Sequence, residues 1–220
     1  MGSASCSRGA SSAQRPVVRF LDHHRDPSYR VEAVDTAGHW PAAYLPEAGI
    51  PLVRGWYRQA DFPENAILYG RFGSRAYVAW LRRLGVRYVV LTTAPPDFSA
   101  EAEAAVLLGG RARLRVAFRS RHATVYAVPR PTPLVTGSGA ARVLALGEAR
   151  LVLQLARPGR YRVAVGYSPY WRTRQGCVDE SSDGMLRLSV PRSGRVVLTF
   201  DVAAGRLLHT LVDSDSRRCY

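Results

Sequence analysis

The sequence predicts an α+β fold, a small α/β N-terminal unit followed by an antiparallel β-sandwich, and three features carry that expectation. An amphipathic run over residues 74–84 meets a glycine and then a nearly continuous β-branched run over 86–91. A proline-punctuated stretch, with Pro129, Pro131 and Pro133, interrupts the chain past its middle. Beyond it, short alternating segments recur at regular spacing between turn residues, the pattern of an all-β module.

Residues 1–14 are rich in Ser, Gly and Ala and are expected to be disordered. The α/β unit is expected over 15–135. Its first strand is read at 29–34, where Val31 and Ala33 alternate with Glu32 and Val34. The aromatic and proline-rich stretch 39–69 reads as loop with short elements. The helix at 74–84 places Tyr77, Trp80, Leu81 and Leu84 on one face, with Ser74 to cap its start and Gly85 to end it. Arg82 and Arg83 suit the negative end of its dipole. The run 86–91 suits a strand covered on both faces. A second helix is expected from Ser99, with Glu101 and Glu103 in its first turn, a body over 102–108, and Gly109 and Gly110 to stop it. Strands at 114–118 and 124–128 flank a hairpin turn at 119–122.

A flexible linker is expected at 136–140, from Gly137, Ser138 and Gly139. The sandwich is expected over 141–212, with strands at 142–146, 150–155, 161–167, 185–190 and 195–202. Gly147, Pro158-Gly159, Asp183-Gly184 and Ser193-Gly194 punctuate them. The polar tail 213–220 is expected to fray.

The net charge is +14, and all 31 basic residues are arginine. The arginines are dispersed along strands (Arg113, Arg115, Arg160, Arg162, Arg195) and around a helix, so a solvated basic surface is expected rather than a nucleic-acid site. Attraction to anionic lipid headgroups would use the same charge. No apolar run reaches the roughly 18 residues that would span a bilayer, and the polar start carries no secretion signal. The three cysteines contain no CxxC, which removes the zinc-finger and thioredoxin-like classes. Outside the cytoplasm Cys177 and Cys219 form a candidate disulfide, with Cys6 left over.

Several segments in order resemble a known family. They are Arg30-Val31-Glu32, Gly49-Ile50-Pro51, Arg54-Gly55-Trp56-Tyr57-Arg58-Gln59, the run from Trp80 to Leu91, Val125-Tyr126-Ala127-Val128-Pro129, Tyr167-Ser168-Pro169-Tyr170-Trp171 and Asp183-Gly184-Met185. Over residues 28–205 the chain resembles actinobacterial polytopic membrane proteins labelled as related to 6-pyruvoyl-tetrahydropterin synthase. More broadly it resembles the YfhO-like branch of the glycosyltransferase-C superfamily. The resemblance implies a soluble C-terminal region at the extracytoplasmic face of the plasma membrane. Its partner would be a membrane-embedded multi-helix protein that uses a polyprenyl-phosphate sugar donor. The catalytic helices of that family have no counterpart here, so the chain is expected to be a non-catalytic accessory region detached from its membrane part. The pterin-synthase label needs three histidines on zinc, and His23, His24, His39, His122 and His209 show no such spacing.

No catalytic, cofactor-binding or metal-binding constellation stands out. Gly166-Tyr167-Ser168-Pro169-Tyr170 lacks the second glycine of a nucleophile elbow, and Gly137-Ser138-Gly139 lacks the third glycine of a dinucleotide fingerprint. Asp179 and Glu180 read as a solvated loop. Two readings stay open for the aromatic residues. Trp40, Trp56, Tyr57 and Arg58, with Arg54 and Asp61, either contact a glycan or fill the core of the α/β unit. Tyr170 and Trp171 either form a sugar-facing lip or cap one end of the sandwich. A free-standing carbohydrate-binding module is the alternative function. His23 and His24, flanked by Asp22 and Asp26, read as a solvated turn.

Overall fold

A computed structural model describes residues 13–54, 65–110 and 112–202. The fold is α+β, and the chain divides into two compact units between Thr132 and Pro133.

The first unit is built on a four-stranded mixed sheet of order β1-β2-β4-β3. Its strands are β1 (Arg30–Ala33), β2 (Val86–Thr92), β3 (Arg115–Arg119) and β4 (Ala123–Ala127). β1 runs parallel to β2, while β4 pairs antiparallel with both β2 and β3. One face is covered by α1 (Arg15–His23) and α2 (Trp40–Glu47), whose Val17, Val18, Leu21, Tyr44 and Leu45 pack on Val31, Ala33, Tyr88, Val90 and Val125. On the other side α3 (Ser74–Arg83) packs on β2 and buries Tyr77, Trp80 and Leu81; α4 (Glu101–Leu108) follows β2 in sequence. The central strand is therefore covered on both sides, which is why 86–91 carries almost no polar residue.

Several expectations change. Helix α1 occupies a stretch read only as ordered chain, and α2 lies within the stretch read as loop. Pro41 sits at the start of α2, where its missing N–H is harmless, and Pro46 lies in the last turn, so neither breaks the helix. Ser74 is already helical and caps nothing; Gly73 is the N-cap. Likewise the start before α4 is capped by Asp97, whose carboxylate accepts from the Ser99 N–H at 2.9 Å. Gly85 takes a left-handed φ of 72° after α3, as expected.

The second unit is two facing four-stranded sheets. One has the order β10-β11-β8-β5, with β5 (Val135–Gly137), β8 (Gly159–Gly166), β10 (Cys177–Glu180) and β11 (Met185–Val190). The other has the order β6-β7-β12-β9, with β6 (Ala141–Leu146), β7 (Arg150–Leu155), β9 (Trp171–Arg172) and β12 (Gly194–Phe200). Val163, Leu186 and Leu188 of the first sheet share one buried cluster with Leu151, Leu153, Leu155, Val196 and Leu198 of the second.

The linker expected at 136–140 is not a free tether, because Thr136 and Gly137 belong to β5 and pair with Arg162 and Tyr161. Gly137 is there for space: a Cβ would run into the Arg160 carbonyl and lie 2.7 Å from the Tyr161 Cα. The expected loop around Asp179 and Glu180 is strand β10, held against β11 by the Arg187–Asp179 ion pair at 2.7 Å.

Candidate functional site

The strongest concentration of buried polar chemistry lies in the first unit. Glu32, on β1, points away from the face that carries Val31 and Ala33, and burial of that side leaves it wholly inaccessible. The segment after α2 returns alongside β1, with Val53 N–H donating to the Val31 carbonyl at 2.9 Å, and this delivers Arg54 to Glu32. Arg54 Nε donates to Glu32 Oε1 at 2.7 Å, and its Nη2 donates to Glu103 Oε2 at 3.0 Å. Tyr77, on α3, donates its hydroxyl to Glu103 Oε1 at 2.6 Å. One guanidinium thus bridges two carboxylates, and the cluster ties together β1, the 50–54 segment, α3 and α4.

Its electrostatics follow from burial. Loss of solvent, opposed by Arg54 and aided by the charges of Glu103 and Asp35, pushes the Glu32 carboxyl up to about 8. Burial also raises Glu103, against the pull of Arg54 and the Tyr77 hydroxyl. Tyr77 is driven well above its ordinary 10 by burial and by Glu103 beside it. Burial disfavours the charge on Arg54, yet Glu32 and Glu103 outweigh it and keep the guanidinium protonated. At neutral pH the raised Glu32 carboxyl is protonated, while Arg54 stays a cation between it and Glu103. Glu32 Oε2 has no hydrogen-bond partner.

Asp35 follows β1 and accepts from the Thr36 N–H and from His39 Nδ1, each at 2.9 Å. His39 has a left-handed φ of 53° and begins α2. Among the described residues no group of three or more His, Cys, Asp or Glu is arranged to hold a metal ion.

The residues singled out from sequence are scattered. Arg54 is not offered to a glycan; it is spent on Glu32 and Glu103. Trp40 is 67% exposed at the start of α2, whereas Tyr44 is buried beneath it in sequence. Trp56, Tyr57, Arg58 and Asp61 lie outside the described residues. Trp171 packs partly against the sandwich core, edge-on to Phe200 at 5.3 Å, and Tyr170 meets the same ring at 5.8 Å. Cys177 is disulfide-bonded; Cys6 and Cys219 lie outside the described residues. His23 and His24 end α1 rather than forming an extended turn, and His24 Nδ1 lies 2.8 Å from the Phe20 carbonyl.

A separate groove of about 360 Å³ opens beside Asp26, Tyr29, Arg87, Tyr88, Arg115 and Pro131. Arg87 lies 5.6 Å over the Tyr29 ring and 5.3 Å over Tyr88, with Asp26 at 3.7 Å. The sequence reading missed both this groove and the buried cluster. The available signal for the cluster is a glutamate set among Val31, Ala33 and Val34 in a short apolar strand. Comparison with family models, with curated proteins and with solved structures finds no match to this chain.

Proposed function

We propose that the chain is a non-catalytic extracytoplasmic accessory region of a membrane-embedded glycosyltransferase-like protein. The resemblance over residues 28–205 supplies the class. The observation that carries the non-catalytic part is the state of the buried cluster. Perturbed carboxyls often mark active sites, but a proton donor must reach its substrate. Glu32 and Glu103 are closed off from solvent, and Arg54 and Tyr77 occupy three of their four oxygens. Such a cluster fixes the frame of the first unit.

The coding DNA upstream tests this reading. A contiguous frame for many membrane spans is expected there, and an isolated gene among unrelated soluble ones would count against it. A second reading, a free-standing carbohydrate-binding module, is favoured by the groove in which Arg87 covers Tyr29 and Tyr88. Calorimetric titration with oligosaccharides separates the two. Affinity that disappears in Arg87→Ala supports the module, and absence of heat supports the accessory role.

A further inference from the structure

The two outer faces of the sandwich carry charge in opposite ways. On the β10-β11-β8-β5 sheet, Arg162 and Arg187 stand side by side and each has an aspartate: Asp183 at 2.6 Å and Asp179 at 2.7 Å. That row is neutral. On the β6-β7-β12-β9 sheet, residues alternating with the core-facing Val143, Leu151, Leu153, Val196 and Leu198 look outward. Pairing sets Arg142, Gln154 and Arg195 in one row across three strands, and Arg150, Thr199 and Arg172 in another. Arg174 follows just after β9. All five of these arginines are exposed, and none forms an ion pair with a described residue.

The acids of this sheet, Glu148 in the β6–β7 turn and Asp201 after β12, both stand at the end that carries Arg150 and Arg172. Among the described residues the Arg142–Arg195 end of this sheet has none. Between the rows lie Val152 and Val197, and Leu144, the extra residue of a bulge in β6, is 47% exposed. Beside β9 a groove of about 510 Å³ is lined by Arg172, Thr173, Arg174, Gln175, Val197, Thr199 and Asp201.

We propose that this sheet face is a docking surface for an anionic lipid bilayer. Rows four residues apart on strands about 4.8 Å apart spread the cations over a patch roughly 13 Å by 14 Å, which meets a plane of headgroups at several points together. Thr199 can donate to a phosphate oxygen in the groove while Arg172 and Arg174 supply charge; the Thr173 hydroxyl already donates to Gln175 Oε1 at 2.8 Å. Leu144 adds an apolar contact at the headgroup boundary. A duplex would demand a convex or groove-entering element, and this face is a sheet whose central residues are aliphatic. The inference deepens the accessory role, resting on it for the presence of a membrane, and names the surface that faces the lipid.

Co-sedimentation of the full chain with phosphatidylcholine vesicles, with and without phosphatidylglycerol, tests it. Binding is expected only with the anionic lipid and should weaken as salt is raised. Each arginine removed should weaken it about fivefold, so Arg142→Gln/Arg195→Gln should cost about 25-fold. Arg150→Gln/Arg172→Gln serves as an independent second pair. The same two charges removed at Arg121 and Arg160, which lie on other elements, should change binding far less. Equal losses from all three pairs, no anionic preference, or tighter binding to duplex DNA with the same variant sensitivity would overturn the assignment. A failure of this kind leaves the accessory role intact, because the upstream coding frame tests that role without reference to lipid.

Discussion

Arg54 stands between two carboxylates that have almost no other source of positive charge, so its removal is the most informative single change in the first unit. Arg54→Met keeps the length of the side chain and strands Glu32 and Glu103 in a dry interior. Breaking one partner of a buried charge cluster typically costs about 3–5 kcal/mol, and a loss of unfolding free energy of that size is expected in urea denaturation. Glu32→Gln should cost much less at pH 7, since the native carboxyl is already protonated there. The pH dependence follows from the same displacement. Glu32 rises from an ordinary 4.5 to about 8 on folding, so the folded state holds a proton that the unfolded chain releases. Stability is fully present below 4.5, falls as pH rises between 4.5 and about 8, and levels off above. Urea midpoints of the native chain and of Glu32→Gln at pH 5, 6.5 and 8 read this directly. The gap between the two should narrow or invert as pH rises, and a gap that widens in favour of the native chain would contradict the displacement.

Glycines separate the informative from the misleading signals among the elements. Gly137 and Gly139 read as a flexible tether because small residues cluster there, but Gly137 is demanded by the approach of β8. Gly137→Ala must push β5 off Arg160 and Tyr161, and a loss of about 2–3 kcal/mol is expected from the overpacking. Gly184 offers the comparison, since its φ of 78° is left-handed but nothing lies within 4 Å of an added Cβ. Gly184→Ala should therefore cost only about 1–2 kcal/mol of backbone strain. Thermal denaturation of both variants checks the order, and a larger loss at Gly184 would refute the packing argument. Strong periodicity made α3, β7 and β11 legible, because their apolar residues alone determine which face is buried, and β2 was legible as a continuous apolar run. The two-residue β9 and the half-polar β10 carry too little pattern to be read, and α2 hides behind two prolines. The burial of Glu32 is not legible for a different reason. Alternation along β1 says that it opposes Val31, but only tertiary packing says that both sides of the sheet are covered.

For the molecule as a whole, charge is organised by surface rather than by sequence. The 31 arginines look dispersed along the chain, yet strand pairing gathers five exposed ones on one sandwich face and sets aspartates beside Arg162 and Arg187 on the other. Sequence alone could not show this, because Arg142 and Arg195 are neighbours only through β7. The buried cluster is likewise a product of topology, assembled from positions 32, 54, 77 and 103.

The central claim is that these groups perform no sugar transfer. Incubating the full chain with a polyprenyl-phosphate sugar donor and oligosaccharide acceptors, and analysing the products by mass spectrometry, tests it most directly. No glycosylated product is expected from the native chain. Product formation that is lost in Glu103→Gln would show the buried carboxylates to be catalytic and would contradict the account.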